Sequence, residues 1–297
     1  MSASFEGVFG LTVATMMGLS VGSFANVLIH RLPRPGLTIT KPARSFCPSC
    51  GNQLTWFENI PLLAWLVQRG RCRSCATPIP WRYPAVELII GLLWLALWWL
   101  APPTDLDSAL LLGVSLTFAT LCVVVSAIDL EHMIIPDAIT LPGIVIGLGL
   151  SLAFPSLHAG HEGFDVENAR GSAMMLSGFG LALGGGSLWL FGKIGNLMLA
   201  KRIAEAGIED AMGFGDVKWM AFAGTLLGPL LVGDAILAGC FLGALTGLIW
   251  KLVARFSGGQ EPAGIPFGPF LSVGILLQLV EPGAAWSLLQ WVAPAPV

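Results

Sequence analysis

Charge is the scarcest commodity in this 297-residue chain. Asp, Glu, Lys and Arg together make up 11% of it, against roughly 25% in ordinary soluble domains. That shortage excludes a soluble globular domain, and the remainder agrees: 55% of the residues are hydrophobic and the mean hydropathy is +0.78. The chain reads as an all-α polytopic membrane protein. With a net charge of -3, nothing in the overall balance recommends nucleic acid as a partner. No Lys or Arg precedes the first apolar run, whereas Glu6 does, so the positively charged start of a signal peptide is missing and the run is expected to stay as an anchor. No glycine-rich nucleotide-binding fingerprint follows a strand.

A membrane helix needs about 20 mostly apolar residues, fewer when protein surrounds it. Eight stretches qualify: 5–29, 84–101, 107–128, 134–154, 172–192, 217–229, 231–253 and 266–280. The boundary at Gly228-Pro229 is the one that decides the count, because a re-entrant sixth segment would leave seven spans and invert everything after it.

Between positions 31 and 83 lie Arg31, Arg34, Lys41, Arg44, Arg69, Arg71, Arg73 and Arg82 against the single acid Glu58. Such a loop belongs on the cytoplasmic side. Alternation then puts Lys193, Lys201, Arg202, Lys218, Lys251 and Arg255 on the same side, and Asp105, Asp107, Glu162, Asp165 and Glu167 outside with only Arg170. Asp129 ends the third span and Asp216 begins the sixth, so both are expected at one depth, facing the cytoplasm.

Carboxylates at the rim of an apolar span are costly unless they are used or paired. Two held close share a proton, so that one activates water while the other polarises a carbonyl. For Asp216, Gly213 and Gly215 permit unwinding or close approach of a substrate strand, and helix N-terminal capping is the alternative. For Asp129 the alternative is snorkelling to water, although a helix C-terminal end is a poor place for an anion. Asp137, after Pro136, suits a first-turn helix acid; Glu131 suits a solvated or paired surface charge; Lys218 stands near enough in sequence to act on Asp216. Glu87 sits beside Arg82 as a structural partner or a lining residue. Asp234 falls near the opposite face, and His30, His132, His158 and His161 form no metal spacing with one another.

The basic loop also carries Cys47-Pro48-Ser49-Cys50 and Cys72-Arg73-Ser74-Cys75. Two such pairs present four sulfurs to one ion, the signature of a structural zinc site with no open position. Disulfides or free thiols are the alternative, and a cytoplasmic loop disfavours the former. Gly51 and Gly70 flank the pairs where sharp turns are needed. Cys122 and Cys240, single within apolar spans, suit small core residues.

Taken together the chain resembles the type IV prepilin peptidases. The likeness rests on Gly22-Ser23-Phe24-Ala25-Asn26-Val27 with Arg31-Leu32-Pro33, the paired cysteines, Glu58-Asn59-Ile60-Pro61, Arg69-Gly70-Arg71-Cys72 and Arg82-Tyr83-Pro84 through Glu87. It continues with Asp129 and Ile135-Pro136-Asp137, Gly213-Phe214-Gly215-Asp216-Val217-Lys218, and Ile265-Pro266-Phe267-Gly268-Pro269. The resemblance implies a membrane aspartyl protease of the bacterial inner membrane with Asp129 and Asp216 as the catalytic pair. It would cut the basic leader from prepilins and pseudopilins at the cytoplasmic face. It further implies methylation of the new N-terminal amine with S-adenosylmethionine, for which the segment 58–75 is the place to look. The other readings are a G-x-G-D protease of preflagellin or presenilin type and a proton-coupled transporter. The expected organisation is a first span at 1–30, a cytoplasmic four-cysteine zinc loop at 31–83 and a membrane protease core at 84–297.

Overall fold

A computed structural model describes residues 5–42, 44–206, 210, 212–257 and 264–283. Among these the chain is helical, with no strand beyond two isolated bridges, Phe46 with Gln53 and Arg71 with Pro78. The α-helices are α1 (Phe5–Arg31), α2 (Leu63–Val67), α3 (Arg82–Leu100), α4 (Leu106–His132), α5 (Asp137–Ala153), α6 (Ala169–Ala206), α7 (Phe214–Ser257) and α8 (Gly268–Val280). Five of them are long and apolar enough to cross a membrane. The shorter α5 and α8 are apolar too, and α7 holds two of the expected spans end to end. The basic pair Lys201 and Arg202 lies outside the residues whose side chains are described. Contacts divide the chain into two compact units, 1–127 and 128–297, so that the last residues of α4 belong to the second.

In the first unit, α1 lies along α3 with glycines where the backbones meet. A Cβ on Gly22 would stand 2.7 Å from the Cα of Glu87, and one on Gly18 would stand 3.1 Å from the Cα of Gly91. Small residues allow such approach where no hydrophobic force between helices exists. Large apolar side chains are turned outward instead, among them Phe9, Met16, Leu92 and Trp99. After α1 the chain is tied down by Arg31. Its buried guanidinium donates to the carbonyls of Thr38, Ile39, Pro42 and Arg44 at 2.8–3.3 Å. Arg31, read as one of the loop's basic residues and as part of the Arg31-Leu32-Pro33 motif, is therefore the organiser of the loop's first turn.

In the second unit α6 packs directly on α7. A Cβ on Gly180 would come within 2.1 Å of the Gly224 carbonyl, and one on Gly184 within 2.2 Å of that of Met220. Helix α7 breaks where the sequence places its sixth-to-seventh boundary, at Gly228 with φ 69° and ψ 178°, a conformation open to glycine and closed to most residues. Pro229 has no N–H to offer the carbonyl of Thr225 four residues back. That carbonyl is satisfied from outside its helix: Ser177 of α6 and Ser151 of α5 donate their hydroxyls to it at 2.8 and 3.1 Å. Buried His158 completes the cluster, with Nε2 3.0 Å from the Ser151 hydroxyl.

Candidate functional site

Asp129 lies in the last turn of α4, which closes with the Met133 amide bonded to the Asp129 carbonyl and Met133 itself at φ 56°. Its side chain is buried, 6% exposed. A carboxylate at the C-terminal end of its own helix faces the negative end of that helix's dipole. The compensation comes from α8. The Gly268 N–H, at the first residue of that helix, donates to Asp129 Oδ2 at 2.9 Å, and a free amide at a helix start is a natural anion partner. A side chain there would displace the carboxylate: a Cβ on Gly268 would stand 2.9 Å from Oδ2 and 3.2 Å from Cγ. Sequence reasoning recognised the Ile265–Pro269 segment without seeing this role. A glycine-proline pair opening a helix was the available signal.

Asp216 sits in the first turn of α7, and its charge and that of Asp129 are near enough to act on each other. Its amide bonds the Gly213 carbonyl at 3.1 Å, so this turn is wound. The two flanking glycines serve close packing. A Cβ on Gly215 would stand 3.0 Å from that of Ile135, and one on Gly213 3.2 Å from Asp216 Oδ2. The two acidic motifs meet a second time through an ion pair between Lys218 and Asp137. Pro136 is the N-cap of α5, with no side-chain capping bond. Asp137 stands in the first turn of α5, as expected, and is there also the counter-ion of Lys218. Glu131 lies 3.9 Å from the ring of His132. Asp234 is engaged elsewhere, accepting the Gln278 amide at 2.8 Å.

The four loop cysteines converge: their sulfurs all lie within 4.8 Å of one another, and none is disulfide-bonded. Cys47 and Cys75 Sγ are 3.9 Å apart. Tetrahedral zinc with Zn–S bonds of about 2.3 Å separates its sulfurs by about 3.8 Å, so the donor set fits such an ion. Each pair is built as the same knuckle. Cys47 N–H bonds the Asn52 carbonyl and Gly51 N–H bonds that of Cys47, as Cys72 N–H bonds Thr77 and Ala76 N–H bonds Cys72. The Thr77 hydroxyl and amide hold the Cys75 thiol below its ordinary range, favouring the thiolate. Asn52 ties the knuckles together through the Ser74 hydroxyl at 2.7 Å.

Ahead of the second knuckle, Glu58 accepts from the Thr55 hydroxyl and amide at 2.6 and 2.9 Å. These bonds, and the charge of Arg73, hold its carboxyl below the usual range. Glu87 accepts the Leu62 N–H at 2.8 Å, while Arg82 lies over the ring of Tyr83.

A model of the bacterial peptidase A24 N-terminal domain matches residues 16–101, and one of the type IV leader peptidase family matches residues 116–248. A protein of Burkholderia pseudomallei (strain 1026b) named prepilin leader peptidase/N-methyltransferase is 35% identical over 294 residues, covering 89% of this chain and 83% of that protein. Proteins of the same name from Myxococcus xanthus (strain DK1622) and Aeromonas hydrophila are 36% and 34% identical. They cover 88% and 93% of this chain, and 72% and 89% of their own length. No solved structure matches. Two family models laid in order along the chain and relatives alike over nearly all of it settle its kinship: it belongs to the type IV leader peptidase family.

Proposed function

We propose that this chain cleaves the basic leader from type IV prepilins and pseudopilins at the cytoplasmic face of the inner membrane, and then N-methylates the exposed residue. The observation that carries the reading is the meeting of Asp129 and Asp216 beside the α8 N-terminus, within a family of leader peptidases. Asp129, which accepts an amide hydrogen bond, is the carboxylate that stays ionised and takes a proton from water. Asp216 gives its proton to the oxygen of the scissile carbonyl as the water oxygen bonds to the carbon. Collapse of the tetrahedral intermediate breaks the C–N bond. The proton held on Asp129 passes to the departing amine, and the hydroxyl proton returns to Asp216. A substrate helix lying in the bilayer would present its leader junction at this rim, because both aspartates stand at helix ends.

In the same reading residues 84–297 supply the protease core, 1–30 the first span and 31–83 a module organised by Zn²⁺ on Cys47, Cys50, Cys72 and Cys75. Four thiolates leave the ion no open position, so its part is to hold the loop. S-adenosylmethionine, when bound, supplies an electrophilic methyl group for the new amine.

The test is coexpression with a prepilin. Asp129→Asn and Asp216→Asn are each expected to abolish cleavage while the protein still inserts, and cleavage retained in either variant refutes the pair. Purified protein given prepilin and labelled S-adenosylmethionine should yield a shortened, methylated N-terminus by mass.

A further inference from the structure

The carboxylates of the second unit account for cleavage and leave group transfer without a place. In the first unit one polar cluster has no structural need for its full complement of acceptors. Asn26, in the last turns of α1, is 4% exposed. Its Nδ2 donates to the carbonyls of Tyr83 at 3.0 Å and Gly22 at 3.4 Å. Both partners are acceptors, so the amide can point only one way. Oδ1 is then buried and, among the described residues, receives no hydrogen bond. Leaving a buried carbonyl without a donor costs about 1–3 kcal/mol, and such exceptions call for an explanation.

One helical turn along α3 from Tyr83 stands Glu87, 9% exposed. Its Oε2 accepts the Leu62 N–H, and the Ser23 hydroxyl is within hydrogen-bonding reach of the carboxylate. No Lys, Arg or His side chain forms an ion pair with it among the described residues. Leu62 delivers its N–H from a strained turn. It has φ 60° and ψ -49°, and the Leu63 N–H closes on the Pro61 carbonyl at 2.6 Å. This is the γ-turn form that non-glycine residues rarely adopt, and such strain concentrates at ligand-holding sites. Gly22 brings the two helices together at this level, since any Cβ there would stand 2.7 Å from the Glu87 Cα.

A carboxylate without a cation and a buried carbonyl without a donor thus lie along the same α1–α3 seam, about one helical turn apart. A primary ammonium answers both, with one positive charge and three N–H donors. We propose that Glu87 and the Asn26 Oδ1 seat a primary ammonium group for methyl transfer. The inference rests on the proposed function, in which two reactants carry that group: the cut pilin, at its new N-terminus, and S-adenosylmethionine, on its amino-acid portion. The seat lies next to Pro61 and Leu62 of the segment 58–75, and its two acceptors come from α1 and α3 outside that segment.

The test uses the full-length protein in lipid nanodiscs, with folding followed by melting temperature. Two constants are measured for wild type, Glu87→Gln and Asn26→Leu: the Kd of labelled S-adenosylmethionine, and the methylation KM of a peptide beginning at the residue exposed by cleavage. Loss of a charge-assisted bond is expected to weaken one of them by about tenfold or more. A change confined to Kd assigns the seat to S-adenosylmethionine; a change confined to KM assigns it to the substrate amine. Neither constant changing in folded variants overturns the proposal. If the variants do not fold, wild type decides by binding S-adenosylhomocysteine against its N-acetyl derivative, and the peptide against its deamino analogue. Equal affinity within both pairs overturns the seat, and weaker binding of either modified ligand supports it. A wild-type protein that neither cleaves nor methylates refutes the proposed function instead.

Discussion

The Gly268 amide and the Asp129 carboxylate, 139 residues apart in the chain, meet at 2.9 Å in a buried hydrogen bond. The bond places the start of α8 against the end of α4, and so gives a donor to a carboxylate that its own helix end would disfavour.

Gly268→Ala is expected to reduce prepilin cleavage by about 100-fold, the scale of a misplacement near 1 Å at a reacting group. The added methyl would meet Asp129 Oδ2 at 2.9 Å and push it from the amide. Cleavage kinetics measure the loss, and near-normal activity refutes the role given to Gly268. Lys218 variants serve as the contrast. Lys218→Met leaves Asp137 without its partner and is expected to cost at most about 1 kcal/mol of stability, since Asp137 is largely in water.

Removing the donors that satisfy the Thr225 carbonyl should loosen the break in α7. Ser177→Ala is expected to lower unfolding stability by about 1–3 kcal/mol, because the hydroxyl at 2.8 Å substitutes for the N–H that Pro229 lacks. Unfolding in mixed micelles with increasing denaturing detergent measures it. The double variant Ser151→Ala with Ser177→Ala should lose more than the two single losses added together, since each hydroxyl covers for the other.

Acid should act through His158. Burial first, and then the neighbouring His161, push its pKa down to about 4 from the ordinary 6.5. The unfolded chain therefore binds a proton that the folded chain refuses between these values. Stability is level above about pH 6.5 and falls as pH drops toward 4, by up to about 3 kcal/mol for this group. Melting temperature across that range shows the slope, and His158→Gln should flatten it. An unchanged slope would assign the acid sensitivity to other groups.

In the four-cysteine cluster, Ala76 occupies the place in the second knuckle that Gly51 holds in the first, at φ 56° against φ 72°. An alanine there bears about 1 kcal/mol of left-handed strain. Ala76→Gly is expected to hold zinc about fivefold more tightly, by competition with a chelator. Cys72→Ser should lower both the zinc content by elemental analysis and the loop's resistance to proteolysis. Normal zinc in that variant would remove the metal from the cluster.

Much of this was legible from neighbouring residues alone. Each C-x-x-C pair is a local knuckle, so its spacing disclosed the cluster that the fold then closed to within 4.8 Å. The break at Gly228-Pro229 was visible because the second residue cannot donate and the first can take a positive φ. Other features left no local trace. Arg31 read as one basic residue of the loop and as part of a motif, and only the folded loop shows four carbonyls around it. Asp137 read as a helix-start acid, and its lysine lies 81 residues away.

Scarce charge and long apolar runs by themselves determined a polytopic helical protein. A bilayer offers backbone groups no partner, which leaves an extended apolar chain the helix, whose hydrogen bonds are all internal. The same scarcity made the few carboxylates conspicuous, and the ordered motifs around them determined the family. Tertiary structure decided which groups serve which: Gly268 for Asp129, Asp137 for Lys218, Ser177 for Thr225, and Leu62 for Glu87. Such pairings depend on where helix ends and kinks meet in space, and a hydrogen bond between residues far apart in the chain leaves no period or spacing in the sequence to read.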